Sequence, residues 1–154
     1  MSLSLRERNL LDAELESWVG TPYASGSIAR GRGVDCRYFV VGVLDRLYRT
    51  TAPIPARVPP DTGMHNRIRA LEIMCEIATR WPCLEIRGSP EIQSGDVIVI
   101  RAGGLASPTH CLIAGGDPRV LYHSTHPNGV IRTGRATITD KVVRTYRLLE
   151  TDRW

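Results

Sequence analysis

The hydrophobic pattern of this 154-residue chain changes period near its middle. As far as about residue 80, apolar residues recur every three or four positions, the repeat of a helix buried on one side. Beyond it they come in short runs separated by Gly, Pro, Asn and Asp, the pattern of strands and turns. Leu10, Leu11, Leu15 and Trp18 predict a first helix over about 5–18, ended by Gly20-Thr21-Pro22. Cys36, Phe39, Val40, Val43, Leu44 and Leu47 predict a second over about 35–49, with the Asp35 carboxylate as its N-cap. A third is expected over roughly 63–80, on Met64, Ile68, Leu71, Met74, Cys75 and Ala78. Strands are expected at 83–87, 97–102, 110–114, 120–123, 129–132 and 142–149. Helices followed by strands imply an α+β domain whose N-terminal helices pack on a C-terminal antiparallel sheet of about five or six strands. The length suits one domain over 1–154.

Cys36 is the one cysteine placed at a helix start. There, unpaired backbone N–H groups and the helix dipole favour a thiolate, the nucleophilic form. Arg30, Arg32 and Arg37 lie close in sequence and add positive potential; they read equally as hands for substrate carboxylates and as mere surface charge. The alternative for Cys36 is a small packed core residue. A thiol nucleophile needs a base, and His110 opens a predicted strand. Alternation puts His110 and Leu112 on one face and Cys111 on the other, so Cys111 reads as packing. A third group should accept the other imidazole N–H. His123 ends the next strand and comes near His110 if the two strands pair; His126 and Asn128 are weaker candidates. His65, near the start of the third helix, reads as a surface residue. The same side chains have a rival use as metal ligands (His110, Cys111, His123, His126), but their spacing is not a zinc pattern. No metal or organic cofactor is expected.

The formal charge of +4 and pI near 9.1 fit either anionic partners or a solvated basic surface with no partner. No basic run interleaved with aromatics points to nucleic acid. No apolar stretch is long enough to span a membrane. Four cysteines without a Cys-x-x-Cys pair suggest reduced thiols rather than a disulfide framework. Charges within the first nine residues leave no export signal, so a cytoplasmic or virion-associated protein is expected.

These pieces, taken together, resemble a known family. Gly20-Thr21-Pro22-Tyr23, then Gly33-Val34-Asp35-Cys36, resembles the start of NlpC-type cell-wall cysteine peptidases. Ser94-Gly95-Asp96 with Val97–Ile100 resembles their Gly-Asp strand. His110–Gly115 resembles the strand led by the family's catalytic histidine, and Leu121–Ser124 the strand carrying the third polar residue. The long insert between cysteine and histidine and the short chain look most like the phage-tail-associated branch. The resemblance implies a papain-like fold with Cys36 as nucleophile, His110 as base and His123 as orienting residue. It also implies Tyr23 near the oxyanion and hydrolysis of amide bonds in peptidoglycan peptides, with phage tail proteins as possible partners. Arg37-Tyr38-Phe39 departs from the family's Ser-Gly-Phe, which makes the expected cleft bulkier and more basic. Two other readings fit the same fold: a non-catalytic domain that binds wall or tail proteins, and a thiol acyltransferase or amidase on another substrate.

Overall fold

The computed structural model describes residues 2–54, 77, 79–87, 90–101, 110–138 and 142–154. Helix α1 runs Leu5–Trp18 and α2 runs Cys36–Tyr48. A short hairpin, β1 Ile28–Ala29 with β2 Gly33–Val34, lies between them. Six strands follow: β3 Cys83–Arg87, β4 Val97–Ile100, β5 His110–Ala114, β6 Val120–Thr125, β7 Gly129–Gly134 and β8 Val142–Leu148. They form one sheet in the order β3-β8-β4-β5-β6-β7, antiparallel at every pairing. The fold class expected from the sequence is thus present, α+β with helices packed on an antiparallel sheet. The third helix falls largely outside the described residues, although Ile77, Thr79 and Arg80, at its expected end, are helical. His65 and Cys75 also lie outside them. No helix among the described residues is long and apolar enough to cross a membrane.

Both helices begin with side-chain caps. Ser4 Oγ accepts from Glu7 N–H at 3.3 Å and Glu7 Oε2 accepts from Ser4 N–H at 2.6 Å, a reciprocal capping box. Asp35 Oδ1 accepts from Tyr38 N–H at 2.9 Å, the expected cap of α2. The stripe of α1 is narrower than expected: Leu11, Leu15 and Trp18 are buried, but Leu10 is on the exposed side. Helix α2 departs the other way. Arg37, Tyr38, Val41 and Gly42 are buried as well as its apolar stripe, because α1 covers one side of it and the sheet another.

The sheet separates two apolar clusters, as strand alternation requires. Val97, Val99, Cys111, Ile113 and Tyr122 face the helices. Ile98, Ile100, Leu112, Ala114 and Leu121 form the second cluster with Ile92 and Ile138. At the far end, Gly129 lets the start of β7 approach Thr21 and Pro22 so closely that a Cβ there would collide with the Thr21 carbonyl. Val130 N–H donates to that carbonyl at 2.9 Å, so the β6–β7 turn is held against the segment entering the β1–β2 hairpin.

Gly42 decides how closely α1 can lie on α2. A Cβ at this position would sit 2.5 Å from Trp18 Cη2 and 2.6 Å from Cζ2. Trp18 cannot yield easily: its ring packs edge-on against Phe39 at 6.0 Å and its indole N–H donates to Glu14 at 2.9 Å. Helix propensity alone would make Gly42→Ala stabilising by about 1 kcal/mol. Overpacking at such contacts costs roughly 1–3 kcal/mol and should win. Urea unfolding of the Gly42→Ala variant is expected to show a net loss of about 1–2 kcal/mol. A gain would mean the helices separate freely.

Candidate active site

Four backbone and side-chain contacts gather at the N-terminus of α2. Cys36 is the first residue of the helix and is 4% exposed. Asp35, just before it, is buried and bridges two segments: Oδ1 caps the helix, and Oδ2 accepts from Gly26 N–H at 2.9 Å in the Gly/Ser-rich loop. From the sheet, Cys111 Sγ on β5 donates to the Cys36 carbonyl at 3.2 Å. Ser124 Oγ on β6 donates to the Val34 carbonyl at 2.7 Å. The two strands carrying the histidines are therefore each tied to the chain within two residues of Cys36, through the residues that directly follow His110 and His123.

His110 opens β5 and His123 lies in β6, both half-buried. The paired residues of these strands are Ile113 with Tyr122 and Ala114 with Leu121. Pairing ends there, so the start of β5 and the end of β6 diverge. The two imidazoles bridge the opening, His110 Nε2 to His123 Nδ1 at 2.7 Å, with ring centroids 4.9 Å apart and planes at 70°. Burial, and next the charge of His110, push the His123 pKa down to about 4, while negative charge on Cys36 pulls the other way. The His123 ring thus feels Cys36 electrostatically and is neutral at neutral pH.

The other sequence-derived candidates are placed less uniformly. Tyr23 bridges to Val34 in the segment alongside β2, and its ring packs edge-on against His126 at 5.5 Å. His126 and Asn128 lie exposed in the β6–β7 turn, so the partner of His110 is His123 and not either of them. Arg37 is not on a rim. It is 4% exposed, with its guanidinium carbon 4.7 Å from the Tyr38 ring centre. Arg30 turns toward α1 and donates to Ser17 Oγ at 2.9 Å, lining a groove with Glu14, Arg46 and Arg49. Its side chain serves that face and not the surroundings of Cys36. Among the described residues no group of three His, Cys, Asp or Glu side chains is placed to hold a metal.

Ser124 carries a contact that sequence reading missed. Its signal was slight: a small hydroxyl two residues after Tyr122, on the helix-facing side of the strand. Cys111 was expected to pack, and it does, but with its sulfur on the backbone of Cys36.

No family model matches the sequence, and no curated protein does. Solved structures do resemble it. The NlpC/p60 domain of the peptidoglycan hydrolase SagA aligns at 21% identity and TM-score 0.55, over 88% of this chain and 97% of that one. A lipoprotein-like protein of the NLP/P60 family from Staphylococcus aureus subsp. aureus Mu50 aligns at 19% identity and TM-score 0.60, over 97% of this chain and 44% of that one. Ly7917 aligns at 14% identity and TM-score 0.56, over 92% of this chain and 62% of that one. The fold is papain-like, of the NlpC/p60 kind. The chain spans less than half of the S. aureus protein and under two-thirds of Ly7917.

The depressed His123 pKa has a consequence for stability. In the unfolded chain this imidazole binds a proton near its ordinary value of 6.5, whereas folded it does so only near 4. Between those values the unfolded state holds more protons, so acidification favours unfolding. Stability should be full above pH about 6.5 and fall as pH drops toward about 4. With the ring half-buried and screened by solvent, the loss should be about 1–2 kcal/mol. His123→Asn removes the titration and should flatten that part of a urea-stability profile; a profile unchanged from wild type would contradict the shift.

Proposed function

We propose that the chain is a cysteine peptidase that hydrolyses amide bonds in peptidoglycan peptides, with Cys36 as nucleophile, His110 as base and His123 as orienting residue. The observation that carries this reading is the 2.7 Å contact between His110 and His123, on two strands whose next residues are bonded to the backbone around the cysteine that opens a 13-residue helix, with the charge of that cysteine felt at His123. Support for the substrate comes from the fold, shared with a domain of a protein described as a peptidoglycan hydrolase, and from Ly7917, solved with the hydrolysing product of MDP. The basic balance of the chain suits the carboxylates of wall peptides.

The chemistry follows from the tautomers. When His110 takes the thiol proton it becomes an imidazolium with N–H groups on both nitrogens. Its Nε2–H must then donate, so His123 Nδ1 accepts and His123 carries its own proton on Nε2. A neutral His123 is the form that can do this, and its low pKa keeps it so. His110 Nδ1 is left to exchange the proton with Cys36. The thiolate attacks the amide carbonyl, forming the C–S bond, and negative charge develops on the carbonyl oxygen. Backbone N–H groups at the start of α2 stabilise that charge, and losing one such donor costs roughly 3 kcal/mol. His110 protonates the leaving amine as the C–N bond breaks. Water, deprotonated by His110, then cleaves the thioester and regenerates the thiol. Asp35 holds the helix start in place, and Tyr23, whose backbone bridges to Val34, is assigned to the oxyanion or substrate side on the family resemblance. Association with a phage tail, as in the branch the sequence resembles, would deliver the domain to the wall.

Mass spectrometry of purified wall peptides after digestion tests the reading. Cys36→Ala should release no fragments while the protein remains folded. His110→Ala should lower the rate by about 10²–10⁴-fold, the usual contribution of a general base. His123→Ala should lower it less. Full activity of Cys36→Ala would overturn the assignment.

A further inference from the structure

We propose that Cys36 and Cys111 form a reversible disulfide when a peroxide oxidises Cys36, so that Cys111 serves as a resolving thiol beneath the proposed nucleophile. The inference rests on the reading of Cys36 as a reactive thiol, and adds a covalent modification site to it. Cys111 is fully buried on the helix-facing side of β5, among Val97, Val99 and Ile113. An apolar side chain would satisfy packing there. A thiol instead lies against Cys36: its Sγ is 3.2 Å from the Cys36 carbonyl oxygen, close enough for the charge of Cys36 to act on it. The two cysteines belong to directly packed residues of α2 and β5, the proximity that a disulfide needs. The other described thiol, Cys83, is on edge strand β3, separated from β5 by β8 and β4, with its Sγ on the Ile77 carbonyl at 3.4 Å. It cannot compete for Cys36.

The order of reaction follows from the surroundings. Burial, then the hydrogen bond and charge of Cys36 and the charge of Asp35, push the Cys111 thiol well above its usual value, against the pull of Arg37. Cys111 is therefore protonated and inert while Cys36 is reduced. The Cys36 thiolate attacks one oxygen of the peroxide, breaking the O–O bond and giving a sulfenic acid and, from hydrogen peroxide, hydroxide. Cys36 is oxidised and the peroxide reduced. Conversion of the thiolate to a neutral sulfenic acid removes one cause that kept Cys111 protonated. The Cys111 sulfur then displaces hydroxide from the Cys36 sulfur, forming the S–S bond, and its proton leaves with that hydroxide as water. A dithiol reverses the change by thiol–disulfide exchange.

The test is hydrogen peroxide treatment of the whole protein, followed by blocking of remaining thiols and peptide mapping by mass spectrometry. Wild type should yield a joined Cys36–Cys111 peptide pair, lighter by two hydrogens than the separate peptides and lost on treatment with dithiothreitol. In Cys111→Ser, and equally in Cys111→Ala, Cys36 should go on to sulfinic and sulfonic acids that dithiothreitol does not reverse. The wild-type measurement does not depend on either variant folding. If wild-type Cys36 reaches those acids without a joined pair, the resolving role is overturned while Cys36 stands as a reactive thiol. If Cys36 is not oxidised at all, both this inference and the nucleophile assignment fail.

Discussion

Two hydrogen bonds from neighbouring strands to the backbone around one cysteine set the geometry of this molecule. Cys111 on β5 reaches the Cys36 carbonyl and Ser124 on β6 reaches the Val34 carbonyl. Each directly follows a histidine. Fixing these small side chains to the helix start also fixes where the imidazoles emerge, in the opening where β5 and β6 stop pairing. The rest of the fold supports that arrangement. Gly42 and Trp18 hold α1 close on α2, Asp35 ties the helix start to the Gly26 loop, and Gly129 seats the β6–β7 turn.

Opposing effects act on the proposed nucleophile. A charge near the last or first turn of a helix is favoured by about 0.3–1 kcal/mol, and by up to ~2 kcal/mol when partly buried. Desolvation works against any charge at a site only 4% exposed. The helix end alone is therefore a weak source of thiolate, and in the proposed mechanism the imidazolium of His110 supplies the remainder. This explains why His123 is best kept neutral. A second positive ring would destabilise the imidazolium, whereas a neutral acceptor at 2.7 Å stabilises it.

Much of this was legible in the sequence because local patterns and long-range packing agree. Period gives α1 and, with the Asp35 cap, α2 nearly to the residue, while the Ser4–Glu7 capping box of α1 emerges only in the structure. The turn signals around Gly115–Asp117 and Pro127–Gly129 separate strands that do pair. Legibility fails where burial comes from the tertiary arrangement. Nothing local marks Arg37 as buried; it is enclosed because α2 is surrounded, and a charged residue beside a loop reads as exposed until its neighbours are known. Leu10 shows the reverse, an apolar residue at helical spacing that no partner covers. The β1–β2 hairpin was hidden in a Gly- and Arg-rich stretch too short to show alternation. Ser124 and the sulfur contact of Cys111 depend on how α2 docks, which no single-strand pattern encodes.

The most direct test of the central claim is the pH dependence of Cys36 alkylation by iodoacetamide, followed site by site with mass spectrometry. An activated thiol should react with an apparent pKa well below the ordinary value of roughly 8.5, and His110→Ala should move that profile upward. A Cys36 that alkylates only near or above the ordinary value, unchanged by loss of His110, would contradict the account.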